Sequence, residues 1–246
     1  METRNLVIVA GIVVAIAIVG VMTMSNTSLN TVDILAVDYG TVDVLLTNNE
    51  RVFVVDIRSA EQYQTGHIVG ASHDVLSGET LEKRVKTIQN RLPEIASTYN
   101  IVLVDDDGID AKHTAQTMNE MGIQTFYLDG GMKNLSTNLE SSPQIVIDSQ
   151  ELSQKLAANN DLFLLDVREP DELLQSKIDG SVNIPLAEIF DPDRIDEIPT
   201  DKPVVVICGS GNRATIATYA LAQEDVDFQV LEGGIKAWNS FQESGI

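Results

Sequence analysis

Thiols and cations are scarce in this chain. One cysteine, Cys208, stands among 246 residues. That excludes an intrachain disulfide and any cysteine cluster for zinc or an iron–sulfur group. Histidine is nearly as rare. His67, His73 and His113 fall at no spacing typical of metal ligands and are expected on loops or helix surfaces, so neither a metal nor a cofactor is expected. Lys and Arg number 16 against 37 Asp and Glu, a formal net charge of −21. Phosphate contacts need clustered Lys and Arg, so nucleic acid and anionic membrane surfaces are excluded as electrostatic partners. The acidic exterior promotes solubility.

Charge is missing altogether from "LVIVAGIVVAIAIVGVM", residues 6 to 22, and Thr23 and Met24 extend the run to 24. At about 1.5 Å per residue, such a helix reaches about 28 Å, close to the hydrocarbon thickness of a bilayer. The following "VMTMSNTS" has no A-x-A cleavage site, and the run has no polar face. Residues 1–24 are therefore expected to be an uncleaved transmembrane anchor. A cleaved signal peptide, and so a secreted protein, is the alternative. Arg4 is the only cation before the run, and none follows until Arg51. The positive-inside rule then puts the N-terminus in the cytoplasm and the body of the protein outside. Residues 25–35, with the polar "SNTSLNT", read as a linker.

The body is a repeat. "RVFVVDIRSAEQYQTGHIVGASHDVL" (51–76) aligns without a gap on "DLFLLDVREPDELLQSKIDGSVNIPL" (161–186). "IVLVDDDGIDAKHTAQTMNEMGIQTFYLDGGMKNL" (101–135) aligns on "VVVICGSGNRATIATYALAQEDVDFQVLEGGIKAW" (204–238). The connection between the halves is longer in the first copy, where "LEKRVKTIQNRLPEIAS" reads as one amphipathic helix. Short apolar runs alternate with helical patterns in both copies. This is the signature of parallel sheets flanked by helices, an α/β fold in two tandem domains, 36–140 and 141–246. "TNLESSPQ" (137–144) is the expected boundary.

Cys208 stands where a β-rich run ends, and in such sheets the sites lie beyond the C-terminal strand ends. Gly209, Ser210 and Gly211 follow, then Asn212, Arg213 and a helical pattern. A tight loop entering a helix can point several N–H groups at one spot, with the helix dipole added. A cysteine at that spot is expected to ionise readily and act as a nucleophile. Arg213 is expected to add fixed positive charge. The other reading of Cys208 is a small buried core residue.

Together, "LLDVREPDEL" (164–173), "NIP" (183–185), "CGSGNRA" (208–214) and "LEGGIKAW" (231–238) resemble the rhodanese family. So do "VVDIRSAEQY" (54–63), "GHIVGA" (66–71) and "LDGGMK" (128–133) in the first copy. The resemblance covers residues 36–246. It implies a sulfurtransferase in which Cys208 carries sulfane sulfur as a persulfide. The donor and acceptor would be small molecules or proteins, and Gly209, Ser210, Gly211, Asn212 and Arg213 would form the cradle. The six-residue loop from Cys208 to Arg213 goes with sulfur transfer; related phosphatases have one residue more. Asp166 and Arg168 are implied as structural support beside the loop. The second copy departs from the pattern in "SKI" (176–178), where the first keeps "GHI".

In the first copy Asp105 replaces Cys208 and Asp110 replaces Arg213. A carboxylate cannot form a persulfide, and Asp105, Asp106, Asp107 and Asp110 should repel an anion. That domain is expected to be inactive. A rhodanese-like module used only for binding or redox sensing is the competing function, and a phosphatase-like enzyme the third.

Overall fold

The computed structural model describes residues 35–48, 51–142, 144–158, 161–224 and 226–245. Residues 1–34, including the expected anchor and nearly all of the linker, lie outside them. Among the described residues no helix is long and apolar enough to cross a membrane.

The first copy contains β1 (Ala36–Val37), α1 (Tyr39–Thr47), β2 (Val52–Asp56), α2 (Ala60–Thr65), β3 (His67–Ile68), β4 (Ala71–His73), α3 (Gly78–Arg91), α4 (Pro93–Thr98), β5 (Asn100–Val104), α5 (Ile109–Glu120), β6 (Thr125–Leu128) and β7 (Leu139–Glu140). The second contains β8 (Val146–Ile147), α6 (Ser149–Ala157), β9 (Phe163–Asp166), α7 (Pro170–Leu173), β10 (Val182–Asn183), α8 (Pro192–Ile195), β11 (Val204–Ile207), α9 (Asn212–Leu221), β12 (Phe228–Leu231) and α10 (Gly234–Ser244). The first sheet runs β1-β6-β5-β2-β4 and the second β10-β9-β11-β12-β8. Every pairing within these two sheets is parallel. Read from β8, the second order is the first repeated. β5 and β11 are the central strands, and both candidate loops leave their C-terminal ends.

Valine and isoleucine fill these strands because parallel strands are covered on both faces. Val52, Val54, Val102 and Val104 pack into a cluster on one face of the first sheet. Leu164, Val205 and Ile207 do the same in the second. The alternate residues, Phe53, Val55, Leu103, Leu165, Val204 and Val206, join one cluster shared by both copies. Phe53 of the first copy meets Phe190 and Tyr219 of the second at ring-centroid distances of 5.6 and 6.0 Å. Helix α9 lies in this shared layer, and Ile216 to Leu221 are all buried. Trp238 packs on the second copy's own cluster.

Three details differ from the sequence reading. The amphipathic stretch is two helices, α3 and α4, because Pro93 lacks the N–H that would continue the first. The expected boundary contains β7, which pairs antiparallel with β3. His67 is a core residue, 1% exposed, not a surface one. Its ring stacks on Tyr63 at 3.7 Å, Nδ1 lies 2.8 Å from the Tyr63 carbonyl, and Nε2 faces Glu140 of β7 at 3.4 Å. The Glu140 carboxyl is held below its ordinary range, first by this His67 bond. Lys177, the counterpart of His67, is exposed.

Candidate active site

Two glycines shape the loop that follows β11. Gly211 caps α9 at φ +96°, a conformation that side chains with a Cβ rarely adopt. Gly234 lies under the loop at φ +60°. A Cβ there would come within 2.3 Å of the Cys208 carbonyl oxygen and 2.8 Å of the Ser210 nitrogen. This close approach lets the start of α10 satisfy the loop's carbonyls: Ile235 N–H donates to Cys208 at 2.8 Å, and Lys236 N–H to Gly209 at 3.4 Å. On the cysteine, Gly211 N–H donates to Sγ at 3.1 Å. Cys208 is 1% exposed, whereas Ser210 is at the exposed rim.

Arg213, expected to add fixed positive charge, is paired with a carboxylate. Its guanidinium forms a two-pronged pair with Glu172, Nη1 to Oε2 at 2.5 Å and Nη2 to Oε1 at 2.7 Å. The bond to Arg213 is the main reason the Glu172 carboxyl is pulled down to about 2. The same bond is the first cause holding the guanidinium above its ordinary range, and the charge of Cys208 contributes further down the order. The guanidinium lies over Gly209, where a Cβ would sit 3.3 Å from Nη2. Glu172 was not singled out in the sequence. Its only local signal is the Glu-x-x-Glu spacing of Glu169 and Glu172, which closes a cap on α7.

Asn212 also departs from the expected cradle. Its side chain turns to the first copy, where Nδ2 donates to Thr87 Oγ1 at 2.8 Å and Oδ1 accepts from Arg84. Asp166 and Arg168 lie beside the loop as a brace. Arg168 donates to Asp166 through Nε at 2.9 Å and Nη2 at 2.6 Å, and to the Ser176 carbonyl at 2.8 Å. Arg58 repeats this in the first copy, on Asp56 at 2.6 Å and on the Gly66 carbonyl at 2.7 Å. The brace serves both copies equally, whatever the loop contains.

The first copy's loop has the same backbone and another occupant. Gly108 caps α5 at φ +86°, and Gly131 touches the loop as Gly234 does. The Asp105 carboxylate fills the cradle. Gly108 N–H donates to Oδ1 at 2.5 Å, and Ala111 N–H to Oδ2 at 3.0 Å. The acidic loop was expected to repel an anion; this cradle instead holds one of its own. Asp106 is tied to Gln62, the counterpart of Glu172, at 2.8 and 3.0 Å. A cavity of about 710 Å³ opens over this loop, lined by Arg58, Asp106, Asp110 and His113 among others.

The rhodanese-like domain family matches residues 41–138 and 148–241. The chain belongs to this family. A rhodanese-like length of 93 residues is 42% identical to a sulfurtransferase of Allochromatium vinosum, covering 37% of this chain and 85% of that protein. A length of 95 residues is 33% identical to an adenylyltransferase and sulfurtransferase of Meyerozyma guilliermondii, covering 36% of this chain and 22% of that protein. Among solved structures, a rhodanese-related protein from Thermoplasma volcanium is 35% identical over 39% of this chain and 92% of its own, with a TM-score of 0.36.

Proposed function

We propose that this chain is a sulfurtransferase and that Cys208 carries the sulfur. The observation behind this reading is the pair of cradles. Cys208 Sγ accepts from Gly211 N–H at 3.1 Å. In the sister loop a carboxylate, one atom longer, accepts from the equivalent Gly108 N–H and from Ala111 N–H. A persulfide lengthens cysteine by the same one atom. Its outer sulfur would take the N–H groups of Gly211 and Ala214, at the start of the α9 dipole. Relatives named sulfurtransferases support sulfur transfer in general.

The Cys208 thiolate attacks the outer sulfur of a sulfane donor. A new S–S bond forms, the donor's own bond breaks, and its pair leaves with the rest of the donor, as sulfite if the donor is thiosulfate. An acceptor thiolate then attacks the outer sulfur and Cys208 leaves as thiolate. No net oxidant is needed. A protein persulfide would enter the same way; with mercaptopyruvate the C–S bond would break instead, and its pair would leave as the enolate of pyruvate. The acidic exterior disfavours free anionic donors and favours a protein donor. The apolar run at 6–24 supports a tether that holds this activity at a membrane, on its extracytoplasmic side; carbonate extraction of the full chain tests the tether.

Sulfur transfer from thiosulfate and mercaptopyruvate should be measured beside phosphate release from an aryl phosphate. Sulfur transfer that disappears in Cys208→Ser supports the reading. Phosphate release alone would overturn it in favour of a phosphatase, and neither phosphate release nor sulfur transfer, from these donors or from a low-molecular-weight persulfide, would leave a binding or redox module.

A further inference from the structure

Helix α3 of the inactive copy reaches the catalytic loop of the other. Arg84, 7% exposed, is gripped by Asp74, with Nε to Oδ2 at 2.5 Å and Nη2 to Oδ1 at 3.0 Å. Its remaining prong, Nη1, donates to the Asn212 carbonyl at 3.1 Å and also to the Asn212 side chain. One turn along α3, Thr87 accepts from the Asn212 amide at 2.8 Å. Tyr219, two turns further along α9, donates to Asp74 at 2.7 Å. Asn212 lies between Cys208 and Arg213, and it opens α9. The contact therefore lands inside the six-residue loop and fixes the helix start that supplies the cradle's N–H groups.

The molecule contains its own control. Ile109 is the counterpart of Asn212 in the first copy, and it is 57% exposed. The loop without a thiol is not gripped in this way. The longer connection of the first copy, which forms α3 and α4, is what delivers Arg84 and Thr87. An interface serving only cohesion would not need to engage the loop's own residue. Charge adds to geometry: Arg84 is held above its ordinary range against the opposing effect of burial, chiefly by Asp74, then Tyr219, with Cys208 a smaller contributor.

We propose that Arg84 and Thr87 are positioning residues for Cys208, supplied by the inactive copy through Asn212. This rests on Cys208 being the reactive thiol. It gives the inactive domain a role in catalysis beyond packing.

The test uses the full chain, in which alkylation of cysteine reports on Cys208 alone. The iodoacetamide rate is followed against pH for wild type, Arg84→Gln, Arg84→Lys and Thr87→Val, with melting temperatures and turnover alongside. Arg84→Gln is expected to slow alkylation at neutral pH about tenfold, an upward displacement of the profile by about one pH unit. Arg84→Lys should recover part of the loss, because it keeps the charge and loses the fork. Thr87→Val should lower turnover about threefold, equivalent to one lost hydrogen bond, with little change in melting. Folded Arg84→Gln and Thr87→Val proteins with wild-type alkylation profile and turnover would overturn the proposal. If Arg84→Gln fails to fold, Thr87→Val decides on turnover. If wild type transfers no sulfur, the functional reading falls, while the alkylation profiles still decide whether Arg84 positions the thiol; there a wild-type profile in Arg84→Gln, or in Arg84→Lys if Arg84→Gln is unfolded, counts against it.

Discussion

The two loops share a backbone and differ in what fills them. Gly108 and Gly211 cap the following helices, and Gly131 and Gly234 press from below. The N–H groups of Gly108 and Ala111 hold Asp105, while that of Gly211 holds Cys208. The first copy has no thiol and yet keeps the cradle. Its carboxylate oxygens accept the N–H groups of Gly108 and Ala111, where sulfur accepts that of Gly211 in the second. A buried N–H left without an acceptor costs about 1–3 kcal/mol, so Asp105 is a structural answer to an empty cradle. The lesson is that cradle and chemistry are separable: the backbone is common property, and function depends on the side chain at its mouth.

The largest contrast should come from the two mouths themselves. Cys208→Ala is expected to abolish sulfur transfer, at least a thousandfold, in a steady-state assay. Asp105→Ala should leave turnover within about twofold and lower stability by about 1–3 kcal/mol in urea titration, because two N–H groups lose their acceptor. Turnover that falls with Asp105→Ala would show that the first loop takes part.

The supporting glycines sharpen the comparison next. Gly234→Ala and Gly131→Ala each place a Cβ against a loop carbonyl, at 2.3 and 2.6 Å, on a positive-φ backbone. Both should cost about 2–4 kcal/mol. Only Gly234→Ala should also remove activity from the protein that remains folded, which circular dichroism beside turnover would separate.

The smallest effect concerns Glu172. Its carboxyl lies at about 2 in the folded chain against an ordinary 4.5. The pair with Arg213 therefore stabilises the fold fully above about pH 4.5, and that contribution is lost as pH falls toward 2. Wild type should exceed Glu172→Gln in stability near neutrality, and the gap should close across that acid window. At pH 7 the variant frees the Arg213 charge, so KM for thiosulfate should fall about threefold at low salt and less at high salt. A stability gap unchanged from pH 7 to 2 would contradict the clamp.

Much of this was legible in the sequence because the decisive patterns are local. Alternating apolar runs and Gly-Gly pairs give strands and close contacts within about thirty residues of each other. The glycines that follow Cys208 marked it as the candidate nucleophile. What escaped was long-range. Glu172 meets Arg213 across 41 positions and Arg84 meets Asn212 across 128, and no periodicity encodes such pairs. Asn212 looked like part of the cradle from its place in the loop, but its side chain had a better partner in α3. The acidic first loop was read by its net charge, and net charge does not show that N–H groups already hold Asp105. Although 101–135 aligns on 204–238, Gly131 is followed only by a short 3₁₀ turn, Gly131–Asn134, where the second copy has the full α10.

The most direct test of the central claim is the intact mass of the full chain after incubation with thiosulfate, mercaptopyruvate or a low-molecular-weight persulfide, and again after dithiothreitol. The account predicts a gain of one sulfur, about 32 Da, that maps to Cys208, reverses with thiol and is missing in Cys208→Ala. No gain with any of the three donors, or a gain that survives Cys208→Ala, would contradict it.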